Sequence, residues 1–117
     1  MDAVDIGRFR TVLGRRPGMA TRLFTAGERA YAGRQHDPAP SLAARFAAKE
    51  AAMKALGVGV GAFRWTDVEV VRLPGGQPRL QVVGAAAALA ANQGVGQWFV
   101  SLTHTDSVAE AVVVTAS

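Results

Sequence analysis

The sequence contains no cysteine, which excludes a disulfide scaffold, a thiolate metal site and a cysteine nucleophile. No apolar run approaches the roughly 18 residues that a membrane-spanning helix needs. The N-terminus carries Asp2 and Asp5 where a signal peptide would have a basic and then an apolar segment. Together these absences favour a cytoplasmic protein. Aromatic residues form only 7% of the chain, and no base-stacking motif of the RNA-recognition kind is present.

The residues that are present describe a small basic globular protein. The chain has 117 residues and half of them are apolar, which predicts a single domain over residues 1–117 with one modest core. The net charge is +4 and the isoelectric point is about 10.7. Such a balance indicates a polyanionic partner: a nucleic acid, a phosphorylated cofactor or an acidic protein. Charge alone does not choose among these three.

The order of the predicted elements indicates an α+β fold. Periodicity and end signals predict helices first and hairpins later, with a mainly antiparallel sheet and a long Ala-rich helix whose small side chains suit close packing. The long helix is predicted from Leu42, with Ser41 as its cap, to Leu56, and residues 35–40 are predicted to form a loop. The other predicted helices cover residues 5–14, 25–33 and 84–92, and the predicted strands cover 67–73, 79–83, 97–103 and 108–115.

Three features could belong to a catalytic or binding site, and each can also be explained by a purely structural role. Glu50 and Lys54 lie four residues apart on the long helix, where a surface pair contributes roughly 0.2–0.5 kcal/mol. The glycine-rich segment 57–61 lacks the Gly-Lys-Ser/Thr of a phosphate-binding loop, which favours a flexible connection. His104 lies in a turn between strands, where a structural role is commoner, although neighbouring hydroxyls would suit phosphate oxygens.

Four segments, taken together and in chain order, resemble the holo-acyl-carrier-protein synthase family. The third segment is the most specific, and the resemblance covers nearly the whole chain. The segments are DAVDIGRF at 2–9, LFTAGE at 23–28 followed by Tyr31, LAARFAAKEAAMKALG at 42–57 and WFVSLTHT at 98–105. The family transfers 4′-phosphopantetheine from coenzyme A to a serine of an apo-acyl carrier protein, using Mg²⁺ and releasing adenosine 3′,5′-bisphosphate.

The resemblance implies a metal centre and a group that handles the proton. Asp2 and Glu50 correspond to the Mg²⁺-ligating carboxylates, and Mg²⁺ commonly binds one or two carboxylates beside water. Lys54 corresponds to the candidate base or to the group that orients it. A lysine could accept the serine proton only if burial or nearby cations lowered its pKa, and a metal-activated water is the competing base.

The resemblance also implies how the two substrates are held. Arg45 and Lys49 are suited to the phosphates of coenzyme A, and His104 and Thr105 to its nucleotide end. Arg8 corresponds to a position on the helix that docks an acidic carrier protein. The reactive serine belongs to that partner, so this chain needs no nucleophile of its own. Whether the carrier serves fatty-acid or polyketide synthesis stays open, although the fatty-acid pathway of lipid metabolism is the expectation.

Two departures from the family pattern bear on the metal centre. The short Gly-rich strand that usually precedes the metal-binding aspartate is absent, so the first strand of the sheet is predicted to be missing or truncated. Val4 replaces a second carboxylate, which favours the small transferases over the larger two-lobed type. The family's small members assemble as homotrimers with cofactor sites between subunits, which predicts the same assembly here.

Two alternative functions remain at this point. One is a catalytically impaired relative that binds carrier proteins without modifying them. The other is a small basic nucleic-acid-binding protein, which the low aromatic content makes less favoured.

Overall fold

The computed structural model describes residues 1–117 and shows an α+β fold with two antiparallel sheets. The elements are β1 Asp2–Asp5, α1 Ile6–Arg15, α2 Met19–Leu23, α3 Ala26–Gly33, α4 Pro38–Ala55, a 3₁₀ turn Trp65–Asp67, β2 Val68–Arg72, β3 Pro78–Val82, α5 Gly84–Asn92, β4 Gln97–His104 and β5 Val108–Ala116. Strands β1, β5 and β4 form a three-stranded sheet in that order, and β2 and β3 form a separate hairpin. The predicted fold class is confirmed.

The long helix α4 begins earlier than the sequence predicted. Its cap is Asp37, whose side chain accepts a hydrogen bond of 3.2 Å from the backbone N–H of Ala39. The predicted loop at 35–40 and the predicted cap at Ser41 are therefore wrong. Pro38 and Pro40 fit the first turn because its N–H groups have no intrahelical acceptor. Gly57 ends the helix in a left-handed conformation, as predicted.

The alanine-rich face of α4 is the centre of the fold. Side chains of this face are buried against β5, where Ala109, Ala111 and Val113 point inward. Apolar clusters lie on both sides of the helix, one toward β2, β3 and α5 and the other toward α1, α2 and α3. Small side chains permit this close approach on both sides, and each buried methylene contributes about 0.8 kcal/mol.

Strand β1 is present as a short strand of four residues, Asp2–Asp5, so of the two expectations, a missing or a truncated first strand, the structure agrees with the second. It pairs with β5 along its length, from Asp2 opposite Ala111 to Asp5 opposite Val108. Asp5 then caps α1 by accepting a hydrogen bond of 2.7 Å from the N–H of Arg8. The pairing holds Asp2 at the edge of the sheet beside α4.

The remaining predicted elements are found close to their expected positions. The β2–β3 hairpin turns through Gly76, whose φ of 90° is readily adopted only by glycine. Helix α5 covers residues 84–92 as predicted, whereas the five-residue α2 was not foreseen. None of the helices is both long enough and apolar enough to cross a membrane.

Candidate active site

Three predicted site residues meet where β1 passes α4. Lys54 Nζ donates a hydrogen bond of 2.9 Å to Asp2 Oδ1, although the two residues are 52 positions apart in sequence. Glu50 lies one turn before Lys54 on the same helix and interacts electrostatically with both. The sequence therefore identified a real cluster, and the pairing of β1 with β5 is what brings Asp2 into it.

The two carboxylates of this cluster repel each other. Partial burial raises the pKa of Glu50 above its ordinary value, the negative charge of Asp2 raises it further, and Lys54 partly opposes both effects. Asp2 is more deeply placed, with its side chain only 10% exposed and its Oδ2 buried without a hydrogen-bond partner. The cluster thus contains excess negative charge and an unsatisfied carboxylate oxygen.

These features fit a divalent cation with oxygen ligands. Mg²⁺ prefers carboxylate oxygens, and the buried Asp2 Oδ2 is a free acceptor aimed away from bulk water. The chain has no group of three or more histidine, cysteine or acidic side chains placed to hold a metal ion, so Asp2 and Glu50 are the two carboxylates that could bind a cation at this cluster. A cation there would also remove the repulsion that raises the pKa of Glu50.

The ammonium of Lys54 does not meet the condition required of a base. Its hydrogen bond to Asp2 and the negative charge of that carboxylate raise the pKa of Lys54, and the side chain is 64% exposed. A raised pKa keeps the lysine protonated at neutral pH. The geometry therefore supports the orienting role for Lys54 rather than the role of proton acceptor.

A second group of predicted residues lines a cleft of about 310 Å³ at the N-terminal half of α4. Arg45, His104 and Arg72 converge there with the ring of Tyr31. The guanidinium of Arg45 stacks over this ring at 4.2 Å, and the guanidiniums of Arg34 and Arg72 each lie 5.5 Å from its centroid. None of these three arginines takes part in a salt bridge.

Arg45 is the most constrained of the three arginines. It is buried, and its Nη1 donates to the hydroxyl of Ser41 at 2.7 Å, while its Nε has no partner. Burial lowers the pKa of Arg45, and the nearby charge of Arg72 lowers it further. A buried guanidinium that has no carboxylate partner and lies near a second cation favours the binding of an anion, such as a phosphate.

His104 and Thr105 have different positions relative to the cleft, because only His104 lines it. His104 lines the cleft, and its Nδ1 lies 3.1 Å from the carbonyl oxygen of Thr105. The Thr105 hydroxyl accepts hydrogen bonds from the N–H groups of Ser107 and Val108 within the β4–β5 turn. Thr103 lines the cleft instead of Thr105. The turn thus uses the hydroxyl that the resemblance had assigned to the cofactor.

The position of Lys49 corrects the expectation that it contacts phosphate. Its side chain has no exposed surface, and its Nζ lies 2.8 Å from Glu28 Oε1 and 3.0 Å from the carbonyl oxygen of Trp65. A third hydrogen bond goes to the carbonyl of Val68. All three donors of the ammonium are therefore used inside the protein. Burial lowers the pKa of Lys49, and Glu28 opposes this effect.

An apolar groove of about 420 Å³ lies beside the carboxylate cluster. Its floor contains the ring of Phe46, which lies 5.2 Å from the ring of Phe9 and 5.0 Å from that of Trp65. Arg8 and Arg22 are the two cations among its lining residues. The complete lining is Val4, Arg8, Phe9, Val12, Met19, Arg22, Leu23, Phe46 and Trp65.

Sequence reasoning missed two site residues. Glu28 belongs to the segment at 23–28 and forms a capping box with Thr25, but nothing local indicated that its carboxylate pairs with Lys49. Arg72 was read only as part of a strand, because a single arginine at the end of a strand carries no local signal. Tyr31 belonged to a motif, and its place between arginines required the packing of α3 against α4 and β2.

Comparison with known proteins agrees with this geometry. The description of the family model that matches residues 1–114 is the 4′-phosphopantetheinyl transferase superfamily. The chain is 51% identical to a holo-[acyl-carrier-protein] synthase of Streptomyces avermitilis, over 97% of this chain and 92% of that protein. It is 45% identical to the corresponding synthase of Moorella thermoacetica over 100% of this chain and 91% of the relative.

Solved structures are similar over nearly the same length. The crystal structure of the synthase from Neisseria meningitidis has a TM-score of 0.89 at 27% identity, covering 99% of this chain and 94% of that one. The synthase from Helicobacter pylori, solved in complex with coenzyme A, has a TM-score of 0.85 at 26% identity, with 98% and 96% covered.

The fold and the match of residues 1–114 to the superfamily model therefore define a phosphopantetheinyl transferase. Within that superfamily, the chain belongs to the holo-[acyl-carrier-protein] synthase family, and it is an enzyme of that family.

Proposed function

We propose that this protein transfers 4′-phosphopantetheine from coenzyme A to a serine of an apo-acyl carrier protein, with Mg²⁺, and releases adenosine 3′,5′-bisphosphate. One observation carries the proposal: consecutive turns of α4 serve all three parts of such a reaction. Arg45 lines the cationic cleft, Phe46 lines the apolar groove, and Glu50 and Lys54 lie with Asp2 in the carboxylate cluster.

Each part of the site has a defined task in this proposal. Arg45 and His104 bind the phosphorylated nucleotide end, which a guanidinium without a carboxylate partner in the cleft favours. Asp2 and Glu50 would hold Mg²⁺, which when bound would supply positive charge opposite the charge of a pyrophosphate. Lys54, kept protonated by Asp2, holds an anionic oxygen in place during transfer. Catalysis of this type depends mainly on positioning and electrostatic stabilisation.

The carrier protein is proposed to dock on the apolar groove. The groove adjoins the carboxylate cluster, since Phe46 lies one turn before Glu50 on α4 and Val4 lies two residues after Asp2 on β1. A serine presented from this groove would reach the cluster directly. Arg8 and Arg22 add positive charge at the groove, which complements an acidic helix.

Reversal of the charge at Arg8 should weaken the use of the carrier protein alone. For Arg8→Glu, we expect the KM for the carrier protein to rise by about tenfold or more while the KM for coenzyme A stays unchanged, because a rim charge acts on encounter and affinity. Steady-state kinetics with each substrate varied in turn measures this. Arg79→Glu, on β3 and outside the groove, is the control. An unchanged carrier KM in Arg8→Glu would contradict the docking surface.

A homotrimer is proposed as the working form. The outer face of β4 and β5 leaves Phe99, Val112 and Val114 exposed, with Phe99 55% exposed and directly opposite Val114 in the sheet. An apolar patch of this kind is typical of a surface covered by another protein chain. We propose that copies of the same chain cover it, in the cytoplasm, and light scattering should then give a mass of three chains.

Incubation of the protein with coenzyme A, Mg²⁺ and an apo-acyl carrier protein tests the function. We expect the mass of the carrier to increase by one phosphopantetheine arm and adenosine 3′,5′-bisphosphate to appear in equal amount. Parallel reactions with carriers of fatty-acid and polyketide synthesis identify the preferred partner, and the fatty-acid carrier is expected. Carrier binding without any gain in mass would support the impaired relative instead. Salt-sensitive nucleic-acid binding in place of both would support the third alternative.

A further inference from the structure

The buried pair of Glu28 and Lys49 connects the elements from which the cationic cleft is built. Glu28 lies on α3 and Lys49 on α4, and neither side chain is exposed to solvent. Glu28 Oε2 accepts a hydrogen bond of 2.9 Å from the N–H of Val70 on β2, and Lys49 Nζ donates to the carbonyl of Val68 on the same strand. The pair therefore joins α3, α4 and β2 at one point.

The same three elements supply the cationic cluster around Tyr31. Tyr31 follows Glu28 by one helical turn on α3, Arg45 precedes Lys49 by one turn on α4, and Arg72 follows Val70 by two residues on β2. The guanidiniums of Arg45 and Arg72 face the Tyr31 ring at 4.2 and 5.5 Å with no carboxylate bound to either. Two such cations repel each other, so their spacing needs support from the elements that carry them.

Stability alone does not account for a pair of this kind. Removing two charges from water costs several kcal/mol per ion, and buried ion pairs contribute little net stability compared with apolar side chains of similar volume. What a fully hydrogen-bonded pair does supply is one defined alignment of the elements it joins, because each of its bonds tolerates little displacement.

We propose that Glu28 and Lys49 are positioning residues that set the spacing of Tyr31, Arg45 and Arg72 for the phosphates of coenzyme A. The pair touches neither substrate and acts through the register of α3, α4 and β2. The inference rests on the proposed function only for the identity of the ligand. It predicts that disturbing the pair damages coenzyme A binding more than the chemical step, because the pair sets α3 and β2 against α4, whereas the Asp2–Glu50 cluster depends on the packing of β1 against α4.

The test compares Glu28→Gln with Val70→Ala, which loosens the neighbouring core by packing and leaves the polar pair in place. Val70 is buried in the same region, which makes it a suitable control for a general loss of packing. Both variants are studied at a temperature where circular dichroism shows them to be folded. For Glu28→Gln, we expect the KM for coenzyme A to rise about ten- to a hundredfold and kcat at saturating coenzyme A to change by less than about threefold. For Val70→Ala, the KM should stay near the wild-type value.

Lys49→Arg provides a second variant if Glu28→Gln does not fold. It keeps the positive charge but replaces a compact ammonium by a planar fork, so it should raise the same KM. The proposal is overturned if both Glu28→Gln and Lys49→Arg retain the wild-type KM, or if Val70→Ala raises it equally. Calorimetric titration with coenzyme A alone separates this outcome from failure of the proposed function. It measures the affinity of the cleft for coenzyme A even if the wild type transfers nothing.

Discussion

Glu50→Gln should abolish transfer and leave the fold intact. The substitution removes one of the two carboxylates proposed to hold Mg²⁺, and loss of the charge stabilisation that a metal ion supplies costs several kcal/mol, which is about a thousandfold or more in kcat/KM. The fold should tolerate the change because burial and Asp2 already raise the pKa of Glu50, so the ionised carboxylate is unfavourable in the folded protein. Thermal unfolding and the mass-gain assay measure the two effects.

Metal binding gives an independent measurement of the same site. Only ionised Glu50 can bind Mg²⁺, and the pKa of Glu50 is raised above its ordinary value. The affinity of the wild type for Mg²⁺ should therefore be highest at higher pH, where Glu50 is ionised. It should fall as the pH decreases, and the fall should begin at a higher pH than for an ordinary glutamate. Calorimetric titration at several pH values measures this fall, which Glu50→Gln should lack. Glu69→Gln, on β2 away from the cluster, is the matched control. Full transfer activity in Glu50→Gln would eliminate the proposed metal site.

Lys49→Met should lower the stability of the fold more than any other substitution of a charged residue on α4. It leaves the carboxylate of Glu28 buried without its counter-ion, together with the unpaired carbonyls of Trp65 and Val68. Breaking a buried pair in this way typically costs about 3–5 kcal/mol. Urea unfolding monitored by circular dichroism should show a much lower midpoint with a similar slope.

Lys54→Met is the matched control for this experiment. The residue type, the helix and the substitution are the same, and each variant loses one ion pair, but the side chain of Lys54 is largely exposed whereas that of Lys49 is buried. Water screens the ammonium of Lys54, so its pair with the less exposed Asp2 contributes less than a pair buried at both ends. The midpoint should therefore move less than in Lys49→Met. An equal shift in both variants would show that the buried pair has no special importance for stability.

Most helices, turns and helix ends could be predicted from the sequence because the signals for them are local. The capping box of Thr25 and Glu28, the glycine after α4, the β2–β3 hairpin and α5 each depend on residues within a few positions of one another. The start of α4 was misread because two prolines usually indicate a loop. Their lack of an N–H has no cost in the first turn of a helix, and only the position of the Asp37 cap shows that turn.

The site residues also fall into those that local motifs identified and those whose role depends on distant residues. Glu50, Lys54 and Arg45 were found because a specific motif on one helix contains them, and Asp2 because it belongs to a motif at the start of the chain. Lys49 belongs to the same motif, but its environment depends on Glu28, 21 residues away, and on the backbone of β2. A motif preserves residue types and spacing, and it does not state whether a side chain faces a ligand or the core.

Local sequence signals therefore predicted the family, the order of the elements and the residue types available for a metal and a phosphate. How those residues are used depends on the tertiary structure. Pairing of β1 with β5 places Asp2 beside Lys54, and packing of α3 and β2 against α4 turns Lys49 inward and gathers arginines around Tyr31. The physical reason is that helix and turn signals act over a few residues, whereas burial and charge pairing depend on which distant segments meet.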